Sequence, residues 1–351
     1  MNVGKSNSLI LCVISFFIVS SIIVFFSESI QAMHAADYGS AYWFASDPGV
    51  YYKIFLLRDG STMTTESLIY SFMVGVPVLM LLLTDGQVSP ILIFSCMIFF
   101  FSLYSSMKYL ERNRILFFFG IVLIPYVALG FFALNKEIFV VSSTLFFLTY
   151  YKSNNIKYLL YCFFFLFFAR YYMLFVFVFC LFIFPPGTGK VRWVFLLLTL
   201  FLVSLLSPFV LTGGALMSYS SDAAVGDSGF VSLTFSNLIR NYMYFVAYIP
   251  KYIMLILSRF WTVIVSGIHA DAKANLLGFL FSLYTILVLI LVVFKVHNKK
   301  SDSYPYLMMA IFSPLPIMFN DIFHWRYYIF TIPVFIFYLN QRKINNSEKR
   351  H

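Results

Sequence analysis

From Leu9 onward the chain is a succession of long apolar runs interrupted by short polar breaks. The runs are apolar on every face rather than alternating, which predicts membrane helices and argues against barrel strands. Leu9–Ser27, with Lys5 in front of it, reads as a retained signal-anchor helix, because Met33-His34-Ala35 offers no clean small-x-small cleavage site. Leu68–Thr84 and Pro90–Met107 predict the next two helices, joined by a tight turn at Asp85-Gly86-Gln87. Leu116–Leu134 predicts another span, which Asn135-Lys136-Glu137 interrupts before the short segment Ile138–Tyr151. Tyr158–Phe184 is divided by Arg170 into halves of about 12 and 14 residues, each too short at 1.5 Å per residue for a core of roughly 30 Å. Val194–Leu211 predicts a further span. Leu238–Gly267, with Arg240, Pro250, Lys251 and Arg259 inside it, reads as an interfacial helix and a span or as two short spans. Leu276–Phe294, Tyr304–Phe319 and Tyr327–Leu339 complete the set. The expected fold is an all-α polytopic integral membrane protein, with roughly 9–12 spanning or half-spanning helices. No internal repeat is visible, so residues 1–351 are read as one membrane domain.

Between the runs, residues 28–67 and 212–237 form two longer polar segments, expected as external loops, and 340–351 a basic cytoplasmic tail. Lys108–Arg114, Lys152–Lys157, Lys190 with Arg192, and Lys295 with Lys299 and Lys300 are the basic clusters that set orientation. Counting back from the tail places 320–326, Arg170 and 135–137 on the outer side, with both termini cytoplasmic. The short halves then become re-entrant hairpins or tilted half-spans with polar tips lining an outward cavity. Counting forward conflicts with this, since two ordinary spans after the first outer loop carry Lys108–Arg114 outside. One segment in that part must be interfacial or re-entrant.

Composition agrees with the pattern. The 351 residues are 61% hydrophobic and only 11% charged, with a mean hydropathy of +0.88, which leaves too little polar surface for a soluble domain. A net charge of +10 suggests nucleic acid at first sight, but Lys and Arg sit in short clusters beside apolar runs, the arrangement of topology-setting charge near anionic lipid. Cys12, Cys96, Cys162 and Cys180 all lie inside apolar runs without ligand spacing. Together with five scattered histidines this gives no expected disulfide, metal site or cofactor. Two decoys fall away on the same grounds. Pro185–Lys190 ends like a phosphate-binding loop but lacks its first glycine and its closing Ser or Thr, and the Asn345 sequon lies in the basic tail.

The candidate chemistry lies in the breaks. A charged side chain at membrane depth costs about 2.5–3.5 kcal/mol on insertion scales, so it survives with a partner, with water or with a task. Lys136 and Glu137 project about 100° apart on a helix and so are expected to meet other groups: Lys136 an anionic head group, Glu137 orienting it or acting as a base. Arg170 presents the planar donor fork that suits phosphate oxygens. The densest constellation is Asn320–Tyr328, where Asp321 and His324 can move protons, Arg326 offers another phosphate contact, and Trp325 and Tyr327 can stack on sugar faces. In the first polar segment Asp37 and Asp47 are candidate bases, and Trp43 and Tyr52 candidate sugar or lipid contacts. The competing reading throughout is an aromatic and basic belt at the headgroup layer.

Four features resemble the bacterial EpsG/Wzy-type polysaccharide polymerases, which are polytopic proteins acting on lipid-linked sugars. They are Ser46-Asp47-Pro-Gly-Val-Tyr51-Tyr52 with Glu66 beyond; the Asn135-Lys136-Glu137 break before a short span and a basic turn; Arg170 about a dozen residues later; and Arg326-Tyr327-Tyr328 with Pro333 in the next helix. This chain has Lys136 and Arg170 where such sequences tend to carry Arg and His. The resemblance implies polymerisation of undecaprenyl-diphosphate-linked oligosaccharide units at the outer face of a bacterial inner membrane. For such a reaction Lys136, Arg170 and Arg326 are expected to neutralise the departing diphosphate and an acid among Asp47, Glu137 and Asp321 to act as base, with a flippase and chain-length regulator as expected partners. A GT-C-type glycosyltransferase using a polyprenyl-phosphate sugar shares these features, and a flippase or other transporter is the alternative without a reaction.

Overall fold

The computed structural model describes residues 3–35, 51–52, 55–56, 76–110, 113–170, 173–186, 190–212, 237–238, 240–254, 272–297, 304–317 and 329–341. Among the described residues the regular structure is helical, without strands. Helices over Ser6–Phe25, Val88–Lys108 and Gly278–Val296 are long and apolar enough to cross a membrane.

Helix α1 (Val3–Phe25) packs antiparallel to α4 (Val88–Lys108). Phe16 meets Phe100 edge-on, and the Cys12 thiol lies 3.9 Å from the Met107 sulfur. Its other face leaves Phe17, Ile18 and Phe25 exposed, as lipid-facing side chains would be. The segment expected to begin the first external loop starts instead as a helix, α2 (Ser27–Ala35). Glu28 in its first turn and His34 in its last both suit the helix dipole, and no Gly or Pro interrupts it before Gly39. Helix α3 (Val76–Leu83) leads into the expected turn. Asp85 and Gly86 both adopt positive φ there, and a Cβ on Gly86 would fall 2.6 Å from the Phe55 ring, so glycine is required.

The predicted span Leu116–Leu134 is two short helices, α5 (Arg114–Val122) and α6 (Pro125–Gly130). Pro125 has no N–H to give the Ile121 carbonyl, so α5 stops and α6 starts afresh with proline in its first turn. Helices α7 (Glu137–Ser153) and α8 (Ile156–Arg170) form an antiparallel hairpin closed by Asn154, which adopts the left-handed conformation that ends α7. Phe139 stacks on Phe165 at one level of the hairpin, and Phe146 on Tyr158 at another. Between α4 and α7 the Ser106 hydroxyl donates to the Leu145 carbonyl (2.7 Å) and lies 3.0 Å from the Thr149 hydroxyl, small polar side chains that allow close helix approach. Helix α9 (Met173–Ile183) follows, and residues 171–172, where the expected division at Arg170 falls, lie outside the described residues.

Beyond α10 (Trp193–Thr212), a helix over 244–254 (α11) lies along α13 (Tyr304–Phe312) and the 3₁₀ turn Leu315–Ile317. The hydroxyls of Tyr244, Tyr248 and Tyr252 donate to the carbonyls of Leu315, Ile311 and Ala310. Ala310 is four residues before Pro314, which cannot supply the usual helical N–H, so Tyr252 provides the donor. This proline-broken stretch was expected as one span over Tyr304–Phe319. Helix α12 (Ala272–His297) sends Lys295 to the carbonyls of Tyr338, Leu339 and Gln341, closing the carboxyl end of α14 (Thr331–Leu339).

The contacts sort the bundle into two ends. Lys108 closes α4 beside the start of α1, Tyr109 packs on Tyr158 at the start of α8, Lys152 lies over the Tyr306 ring, and Tyr306 packs on Phe337 near the Lys295 cap. Lys108, Lys152 and Lys295 therefore share one end. Because α1 and α4 run antiparallel, Lys108 lies at the same end of the bundle as the start of α1.

Candidate functional site

The opposite end carries the site. After α6 the chain leaves helical hydrogen bonding at Leu134, whose N–H donates to Nε2 of His34 (3.1 Å). Asn135 then turns its side-chain oxygen to the N–H of Glu137 (2.9 Å), satisfying a donor at the start of α7. Glu137 thus stands in the first turn of α7 and Arg170 in the last turn of α8. The hairpin brings these two positions side by side, and Glu137 stands at a helix amino terminus, which favours its negative charge. There Arg170 Nη2 donates to Glu137 Oε1. Both side chains are buried, Arg170 at 4% and Glu137 at 1% exposure, so the pair is shielded from water.

In the sequence Glu137 reads as a residue that orients a head group or acts as a base and Arg170 as a phosphate ligand; the structure adds that the two side chains pair with each other. Lys136, half-buried, stands next to Glu137 in the chain at the same break.

Helix α2 joins this break to the aromatic segment. Gln31 donates through Nε2 to the Tyr52 hydroxyl (3.0 Å) and the Gly86 carbonyl (2.9 Å), and its Oε1 accepts the Val88 N–H (3.0 Å). Three residues on, His34 Nδ1 lies 2.7 Å from the Ile30 carbonyl. A carbonyl only accepts, so Nδ1 carries the proton and Nε2 is left to accept from Leu134, which makes His34 a neutral imidazole with both nitrogens used. Burial holds its pKa below the ordinary 6.5, against the opposing pull of the Ile30 hydrogen bond. Tyr52, Gln31, His34, Leu134, Glu137 and Arg170 thereby form one run of contacts and chain connections.

Of the residues singled out in the sequence, Glu137, Arg170, Lys136 and Tyr52 are brought into this region. Trp43, Asp47, Asp321, His324, Trp325, Arg326 and Tyr327 lie outside the described residues, as does Asp37. Sequence reasoning passed over Gln31 and His34; the available signal was two polar residues one turn apart, just after an apolar helix. Lys251, read in the sequence only as a charge interrupting Leu238–Gly267, is buried at 1% exposure on the face of α11 that carries Tyr244, Tyr248 and Tyr252. The i, i+4, i+8 spacing of those tyrosines was the cue that this face is inward.

Compared with protein-family models, with curated proteins and with solved structures, the chain matches none of them.

Proposed function

We propose that this protein joins lipid-linked oligosaccharide units into a surface polysaccharide, as a multi-pass protein of a bacterial inner membrane acting at the outer face. The observation that carries the reading is the break at 135–137, where Lys136 and the buried Glu137–Arg170 pair meet at the end of the bundle opposite Lys108, Lys152 and Lys295. A departing undecaprenyl diphosphate accumulates negative charge, and fixed cations in a partly dehydrated site stabilise it more than water does. Lys136 is the cation closest in sequence to the break, Arg170 orients the carboxylate beside it, and Arg326 is the further phosphate ligand. In the reaction the acceptor hydroxyl oxygen bonds to the anomeric carbon as the bond from that carbon to the diphosphate breaks. One of Asp47, Glu137 and Asp321 takes the hydroxyl proton. Tyr52, with Trp43, Trp325 and Tyr327, supplies aromatic faces for the sugars.

The test is purified protein in vesicles with undecaprenyl-diphosphate-linked repeat units. Elongation is expected, and Lys136→Met is expected to slow it by about 10²-fold or more, the usual effect of losing one stabiliser of developing charge. Movement of the lipid-linked unit across the vesicle without new glycosidic bonds would identify a carrier instead.

A further inference from the structure

Helix α2 reaches both halves of the proposed site without contributing a residue assigned to the chemistry. Gln31 and His34 stand three residues apart, about 4.5 Å along the axis. Gln31 fixes the Tyr52 hydroxyl, the Gly86 carbonyl and the Val88 N–H, and His34 fixes the Leu134 N–H two residues before Lys136. Gly86, Val88 and Leu134 lie where the chain leaves a helix or enters one, so their backbone is least constrained by helical hydrogen bonds. A side chain that closes such a break decides where the next residues point.

We infer that α2 is a positioning arm, in which Gln31 holds the Tyr52 segment and the 84–87 turn while His34 holds the 131–136 break, setting Lys136 and Glu137 at a fixed distance from Tyr52. In terms of the proposed function, on which this inference rests, the arm aligns the phosphate-binding end of the site with its sugar-binding end. It also accounts for a fully buried histidine whose two nitrogens are both spent on backbone groups, one of them 100 residues away in sequence. A histidine serving only its own helix would need no acceptor role toward Leu134. His34 and Gln31 are positioning residues and touch no reacting atom.

The test reads the geometry of the break directly. The full chain carrying Lys136→Cys is reacted with a water-soluble maleimide in native membranes. The native thiols Cys12, Cys96, Cys162 and Cys180 are all buried, which keeps the background low. His34→Ala should change the labelling rate at position 136 by about threefold to tenfold, the shift in a local opening equilibrium expected from one lost buried hydrogen bond. His34→Gln, whose side-chain oxygen can still accept from Leu134, should restore the rate to within about twofold. Gln31→Ala leaves the His34 contact in place but frees the arm from Tyr52 and the turn, so it should shift the rate in the same direction and keeps the test open if His34→Ala fails to accumulate. An unchanged rate in both alanine variants overturns the positioning role, whatever the activity. If His34→Ala shifts the rate and His34→Gln does not rescue it, the Leu134 contact is not the cause and the inference fails as well. A shifted and rescued rate in a protein that makes no polymer retires the glycan reading alone and leaves the arm standing.

Discussion

Glu137 and Arg170 show how a buried charge changes meaning once its partner is known. Either one alone in an apolar run suggests a ligand; together they answer each other's cost. Removing one partner leaves the other charge buried, so Glu137→Gln or Arg170→Met is expected to destabilise the protein by about 3–5 kcal/mol. Replacing both, as Glu137→Leu with Arg170→Met, should recover most of that loss, because well-packed apolar pairs often match buried ion pairs. Denaturation of detergent-solubilised protein measures this; a double variant as unstable as either single would mean that the residues do not act as a pair. His34 makes a second prediction, on pH. Its folded pKa lies below 6.5 because burial disfavours the imidazolium, so the unfolded chain takes up the proton first as pH falls. The contribution to stability is complete above about pH 6.5 and declines as pH drops from there toward the folded value. His34→Gln does not titrate, so its stability profile should be flatter between pH 6.5 and that lower value.

At the scale of elements, the apolar pattern marked out most of the described helices, including the turn at Asp85–Gln87. It overran wherever proline breaks an apolar run, as at Pro125 and Pro314, because hydropathy does not register a missing N–H. It also overlooked α2, whose polar composition resembles a loop although its charges suit a short helix. The site was half legible: Lys136, Glu137 and Arg170 are conspicuous as charges in apolar surroundings. The Glu137–Arg170 pairing needs the hairpin register, and Gln31 and His34 act on backbone groups that no motif reports. The proline break also yields a prediction. Tyr252→Phe leaves the Ala310 carbonyl buried without its hydroxyl donor and should cost about 1–3 kcal/mol. In a Pro314→Ala background the restored N–H can serve that carbonyl, so the same change should cost less. A double-mutant cycle measures the difference, and strict additivity would show that Tyr252 does not substitute for the missing helical bond.

On the scale of the whole molecule, the described helices separate the break at 135–137 from the basic end, the arrangement the proposed function needs. The cations Lys108, Lys152 and Lys295 gather at one end and spend themselves on aromatic faces and helix carbonyls. Gln31, His34, Lys136, Glu137 and Arg170 gather at the other, where helices break and polar groups answer backbone. Helix α4, with 21 residues and a length of about 31 Å, is the ruler between them. Asp85 and Lys157 are both exposed, one in the turn before α4 and the other at the start of α8, beside the far end of α4. Asp85→Cys should therefore react with a membrane-impermeant thiol reagent added to the outside of spheroplasts. Lys157→Cys should react only after the membrane is opened, because basic clusters are retained on the cytoplasmic side. The reverse pattern would keep the fold but turn the break at 135–137 toward the cytoplasm, away from outer-leaflet glycans. Labelling of both positions from one face would mean that α4 does not carry the chain across the bilayer, and the separation of site from basic end would lose its basis.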